Sequence, residues 1–137
     1  MINVHIGLKG SGKTPKMIAA VNKAVDEEKG NVVCITEGER LIHDISRKAR
    51  LVTTDSFNIK NLDVFTGMLC GIIAQDYDVT HIFIDSIFKS VPSATVADLE
   101  DFIKVLERLE NKFNVSFTMM VSADEADAGS NVKKYIV

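Results

Sequence analysis

Apolar positions change period several times along the chain. Ile2, Val4 and Ile6 alternate with Asn3 and His5, a spacing of two that predicts a short strand. Met17, Ile18, Val21, Ala24 and Val25 then recur at helical spacing, and this helix is expected to end near Lys29 with Gly30 as its C-cap. NVVCIT at 31–36 is a β-branched run that predicts a second strand. Leu41, Ile42, Ile45 and Ala49 fall on one face of an expected short helix, and 51–54 reads as a third strand. A helix over 61–75 carries Phe65, Met68, Leu69, Ile72 and Ile73 as its stripe; Gly67 and Gly71, four residues apart, suggest close packing of that helix on a sheet. HIFID at 81–85 is the fourth strand. Thr95 and Asp98 resemble a capping box, opening a helix with Leu99, Phe102, Ile103, Leu106 and Leu109 inward, and VSFTMMV at 115–121 is the fifth strand.

The later strands are apolar along most of their length. Continuous hydrophobicity means that both faces are covered, as in a parallel sheet between helices. The expected fold is therefore α/β: a three-layer, doubly wound parallel sheet of about five strands, with its ligand at the carboxyl ends of the strands. No repeat or low-complexity linker interrupts the alternation, so 1–137 reads as one domain.

Composition narrows the function classes. The 137 residues are 46% hydrophobic and 26% charged, enough for a continuous core but not for two. A net charge of −3 argues against a surface that grips nucleic acid by neutralising phosphates. Arg47, Lys48 and Arg50 form the one basic cluster and read as a solvated helix end. Cys34 and Cys70 lie in apolar segments without metal or pairing spacing, which predicts buried free thiols and suits a reducing cytoplasm. No stretch approaches the ~18–20 apolar residues of a membrane span, and no cleavable leader is apparent.

Between the first strand and first helix stands GLKGSGKT, residues 7–14, a complete G-x-x-x-x-G-K-[ST] phosphate-loop pattern. A polyphosphate is opposed by backbone N–H groups aimed at it from one turn and one helix N-terminus. Gly7, Gly10 and Gly12 remove the side chains that would obstruct this approach, with Leu8, Lys9 and Ser11 completing the turn. Lys13 supplies a point charge between the β- and γ-phosphates, and Thr14 the hydroxyl that the motif gives to Mg²⁺. Pro15 fits a first helical turn, where its missing N–H costs little. Asp85, at the end of the fourth strand, is the matching Walker B carboxylate, expected to hold Mg²⁺ through water; the plainer reading is a turn aspartate. Glu37, directly after the second strand, is the candidate for orienting an attacking water, against a merely solvated strand-end glutamate. Glu39 reads as a capping or dipole residue. His5, His43 and His81 are scattered and read as structural.

These segments together resemble the RecA/KaiC-like branch of P-loop ATPases. The resemblance rests on GLKGSGKT after the first strand, VVCITEGE after the second, LVTTDSFNIKNLDVF leading into a long helix, HIFIDSI as a Walker B strand, and LEDFIKVLERLENKFNVSFTMMVS after it. It spans roughly residues 2–122, and only the phosphate loop is highly specific. The resemblance implies a Walker B strand beside the loop-bearing strand, a Mg²⁺-ATP site, Glu37 as the water-activating residue, and work in a ring or filament of neighbouring subunits. Two departures stand out. Where the family places a polar sensor of the γ-phosphate after the fifth strand, this chain has Val121, Ser122 and Ala123, of which Ser122 is the partial substitute. The later strands and DNA-binding loops of the family have no counterpart in these 137 residues. Lys133 and Lys134 fall where relatives carry lysines that reach a neighbour's nucleotide; the plainer reading is a solvated pair at a frayed end.

Several functions remain open at this level. An ATPase comes first; a non-hydrolysing nucleotide-binding module acting through a partner protein or its own oligomer comes second; a small-molecule kinase, lacking the usual arginine-rich lid because no arginine follows Glu110, comes third. An interaction scaffold with a degenerate loop would bind no nucleotide. A GTPase would need N-K-x-D and D-x-x-G, and neither is present.

Overall fold

The computed structural model describes all residues, Met1–Val137. In chain order the elements are β1 (Ile2–Gly7), α1 (Lys13–Glu27), β2 (Asn31–Thr36), β3 (Arg50–Thr53), α2 (Leu62–Gln75), β4 (Val79–Ile84), α3 (Ile87–Ser90), α4 (Leu99–Phe113), β5 (Ser116–Ser122) and α5 (Ser130–Lys133). Short 3₁₀ turns occupy Glu39–Leu41, Thr54–Ser56 and Glu125–Asp127. The strands form one sheet in the order β1-β5-β4-β2-β3, and every pairing is parallel. All carboxyl ends therefore meet at one edge, where loops leave the sheet.

Alternation along β2 shows the two covered faces. Val32 and Cys34 pack with Met17, Val21 and Ala24 of α1, and with Leu41, Ile45 and Ala49 of the β2–β3 connection. Val33 and Ile35 point the other way, into the larger core built from Phe65, Leu69 and Ile73 of α2 and Leu99, Ile103 and Leu106 of α4. Local chemistry sets the helix ends. Asn61 caps α2 by accepting from the Val64 N–H at 2.9 Å. Thr95 and Asp98 make the expected reciprocal bonds, Thr95 N–H to Asp98 Oδ2 at 2.8 Å and Asp98 N–H to Thr95 Oγ1 at 3.3 Å, but in the turn before α4, whose N-cap Asp98 has no side-chain cap. Asn114, in the left-handed region at φ 56°, closes α4. His81 is structural, as expected, held between Glu28 at 2.6 Å and Thr118 at 2.8 Å and stacked on Phe83.

Several expectations are corrected. α1 stops at Glu27, with Glu28 extended, so Gly30 is no C-cap; it is required because a Cβ there would overlap the Asp78 carbonyl and Thr80. Residues 41–49 form turns instead of a helix, and Ile42 is 48% exposed while Leu41, Ile45 and Ala49 are buried. Gly67 and Gly71 face open space, not the sheet: an added Cβ meets nothing within 4 Å. Cys70 is exposed, because it sits one position round the helix from buried Leu69; only Cys34 is the expected buried thiol. β5 lies between β1 and β4, so the Walker B candidate strand is not beside the loop-bearing strand.

The tail is not frayed either. The Glu100 carboxylate accepts from the N–H groups of Asn131 and Val132 at 3.2 and 3.0 Å, and the Tyr135 hydroxyl donates to Glu107 at 2.7 Å. That contact and the Glu107 charge push the Tyr135 phenol up to about 12. Ile136 forms a parallel bridge to Val4, whose N–H donates to Tyr135 O at 2.8 Å and whose carbonyl accepts from Val137 N–H at 3.0 Å. Lys134 faces Glu107 of its own chain at 3.8 Å, while Lys133 is exposed. No helix is long and apolar enough to cross a membrane.

Candidate functional site

A cavity of about 450 Å³ opens at the carboxyl edge of the sheet, between the loop after β1 and the loop after β4. Its first wall is Lys9, Gly10, Gly12, Lys13, Thr14 and Pro15. Gly10 and Gly12 take φ of 85° and 83°, left-handed angles that a Cβ would penalise, and so the chain turns within five residues from strand to helix. Gly12 is the N-cap of α1, no side chain caps it, and the first turn carries no acidic residue. The first-turn amides and the positive end of a 15-residue helix are thus left for an anion. At Gly7 the constraint is different: a Cβ would come within 2.7 Å of Ser11 Oγ, so that hydroxyl would have to shift.

Lys13 folds back over its own loop. Its Nζ donates to Gly7 O at 2.9 Å, Leu8 O at 3.0 Å and Ser11 Oγ at 3.1 Å, which satisfies all three ammonium protons. Gly7, Leu8 and Ser11 act here through those acceptor atoms and do not line the cavity, whereas Lys9, Gly10, Gly12, Lys13 and Thr14 do.

Asp85 supplies the second wall. It follows β4 directly, its N–H donates to Ile35 O at 2.9 Å, and its carboxylate is 2% exposed. Arg40 Nη2 donates to Asp85 Oδ2 at 3.1 Å, and Ser86 Oγ to Oδ1 at 3.2 Å. Ser86 is a non-glycine residue at φ 47°, ψ 62°, so the backbone turns sharply after the carboxylate, a conformation that costs about 1–3 kcal/mol. Beneath lies Cys34, whose thiol is pushed up to about 12 by burial and then by the Asp85 charge; it is inert as a nucleophile.

Phe88, Lys89 and Ser122 complete the lining. Ser122 pairs with Gly7 across the β1–β5 register, and the next N–H, of Ala123, donates to Gly7 O at 3.1 Å. Ser122 therefore stands where the absent polar sensor was sought. Lys9, Lys13, Arg40 and Lys89 face one carboxylate, which makes a cationic cavity in a protein of net charge −3.

Glu37 is exposed one residue past β2, its carbonyl accepting from Asp55 N–H at 3.0 Å, and it is not on the cavity wall. Glu39 opens the 3₁₀ turn that carries Arg40. Thr14 and Asp85 line the same cavity, and hydroxyl and carboxylate oxygens are hard donors of the kind Mg²⁺ takes. No group of three or more His, Cys, Asp or Glu side chains could hold a metal, so an ion here would complete its shell from phosphate and water, as Mg²⁺ commonly does.

Sequence reading did not find Arg40, Phe88 or Lys89. Their one signal is position: each follows a strand whose carboxyl end reaches the edge where the cavity opens. Comparison of the chain with protein-family models and with curated proteins gives no match.

Proposed function

We propose that the chain binds a nucleoside triphosphate with Mg²⁺ as a P-loop NTPase, and that it hydrolyses the β–γ bond of ATP. One observation carries this reading: two left-handed glycines, an uncapped helix N-terminus, Lys13, Thr14 and a buried aspartate from a strand two places away in the sheet converge on one cationic cavity. The preference for ATP and the RecA/KaiC-like affiliation rest on the motif order and on the missing guanine signature.

In this reading the amides of 10–14 bind the β- and γ-phosphate oxygens, and Lys13 exchanges its loop acceptors for those oxygens. Thr14 would hold Mg²⁺ by its hydroxyl and Asp85 through water, and the ion would supply charge neutralisation for the phosphates. Glu37 orients the water that attacks phosphorus in line, taking its proton as ADP leaves. Since Glu37 lies off the cavity wall, the segment after β2 must move for this step. That same placement supports the second reading, a non-hydrolysing module whose output is a change of shape or assembly.

Calorimetry with Mg²⁺-ATP and Mg²⁺-GTP, phosphate release, and solution mass with and without nucleotide form the test. Binding lost in Lys13→Ala and turnover lost in Glu37→Gln support the ATPase. Binding without turnover at every assembly state supports the module, and absence of binding by the folded wild type refutes both.

A further inference from the structure

Asp85 is buried, and a buried carboxylate without a partner is costly, so something must oppose its charge when no metal is bound. That partner is Arg40, at 3.1 Å from Oδ2. Resting on the nucleotide reading above, we propose that Arg40 is a displaceable counter-ion: it holds Asp85 until metal and triphosphate arrive, yields the carboxylate to the metal, and so ties site occupancy to the segment between β2 and β3.

Three features carry this. The Arg40 side chain is 47% exposed while its partner is 2% exposed, so the guanidinium approaches from solvent and leaves by the same route without opening the core. Arg40 stands on a three-residue 3₁₀ turn anchored on both sides: Thr36 Oγ1 donates to Gly38 O at 2.7 Å before it, and Leu41 is 5% exposed after it. The turn between these anchors is short, so an exchange of partners by the exposed head is felt in the backbone that carries it. Finally, Oδ1 is held by Ser86, which leaves Oδ2 as the atom for which a guanidinium and a divalent ion compete. The released guanidinium stays at the wall with Lys13 and Lys89, where a polyphosphate is the available acceptor.

A permanent structural ion pair and a displaceable one give opposite results in Arg40→Ala. ATP is titrated calorimetrically with magnesium and with EDTA, on wild type, Arg40→Ala and Arg40→Lys, with folding checked by circular dichroism. For a displaceable counter-ion, metal-free ATP binds about tenfold more weakly to Arg40→Ala because a cation is lost, while the gain in affinity on adding magnesium grows about tenfold because a competitor is gone. Arg40→Lys lies between. In the wild type, amide exchange over 37–42 quickens with Mg²⁺-ATP but not with metal-free ATP. Equal losses in both titrations, or no change in either, overturn the proposal while leaving the nucleotide site standing. A folded wild type that binds no triphosphate refutes the nucleotide site itself, and this proposal with it. Should Arg40→Ala fail to fold, Arg40→Lys and the exchange comparison decide.

Discussion

Replacing Gly67 and Gly71 by alanine should stabilise the protein. Both lie inside α2, neither has a positive φ, and a Cβ built at either meets no atom within 4 Å. No clash opposes the change, and what remains is the entropy that glycine loses in a helix, about 0.8–1.0 kcal/mol per site relative to alanine. Together the two substitutions are worth about 2 kcal/mol. With an unfolding entropy near 0.3 kcal/mol/K for a chain of 137 residues, this raises Tm by about 6–7 °C. Thermal melts of the single and double variants, at two protein concentrations tenfold apart, measure it. A fall in Tm for either single variant would refute the reasoning, since it would mean that the outer face of α2 is covered in solution. A fall seen only at the higher concentration would identify the cover as a second copy.

Glycine chemistry reverses at Gly30, where a Cβ would overlap backbone at Asp78: Gly30→Ala should cost about 1–3 kcal/mol, read as a lower denaturation midpoint. A thiol-reactive disulfide reagent should titrate Cys70 at once and Cys34 only after denaturant is added; two fast thiols would contradict the burial of Cys34. Burial lowers the His81 pKa below 6.5 despite the opposing Glu28 carboxylate, so folding favours the neutral ring. The stability this represents is fully present above about pH 6.5 and is lost as pH falls through that value towards the folded pKa, and melts at pH 8 and 5.5 should show His81→Gln flattening the decline.

The β1–loop–α1 unit was legible because its signals are local: alternation, three glycines and a lysine in fixed register, then helical spacing. The parallel sheet followed from continuous apolar runs. Strand neighbours were not legible, because a buried run such as HIFI reports that both faces are covered and nothing about which strands lie beside it; hence β5 came between β1 and β4. Helical period misled at 41–49, where a turn buries Leu41, Ile45 and Ala49 without continuous helical hydrogen bonding. On α2, small residues carry too little signal to say which side they occupy, and Gly67, Cys70 and Gly71 all turned outward. In the site, the importance of Arg40, between Glu39 and Leu41, depends on a partner 45 residues away, which no local pattern reports.

The docked tail has a mechanical meaning. Val4 gives both its backbone groups to Tyr135 and Val137, while register pairs from Ile2 to Gly7 stitch the other side of β1 to β5. β1 is thus held on both flanks, along its length by β5 and at Val4 by the tail. On the nucleotide reading proposed above, movement on binding falls to the glycine pivots of the loop or, across the cleft, to the connection bearing Arg40.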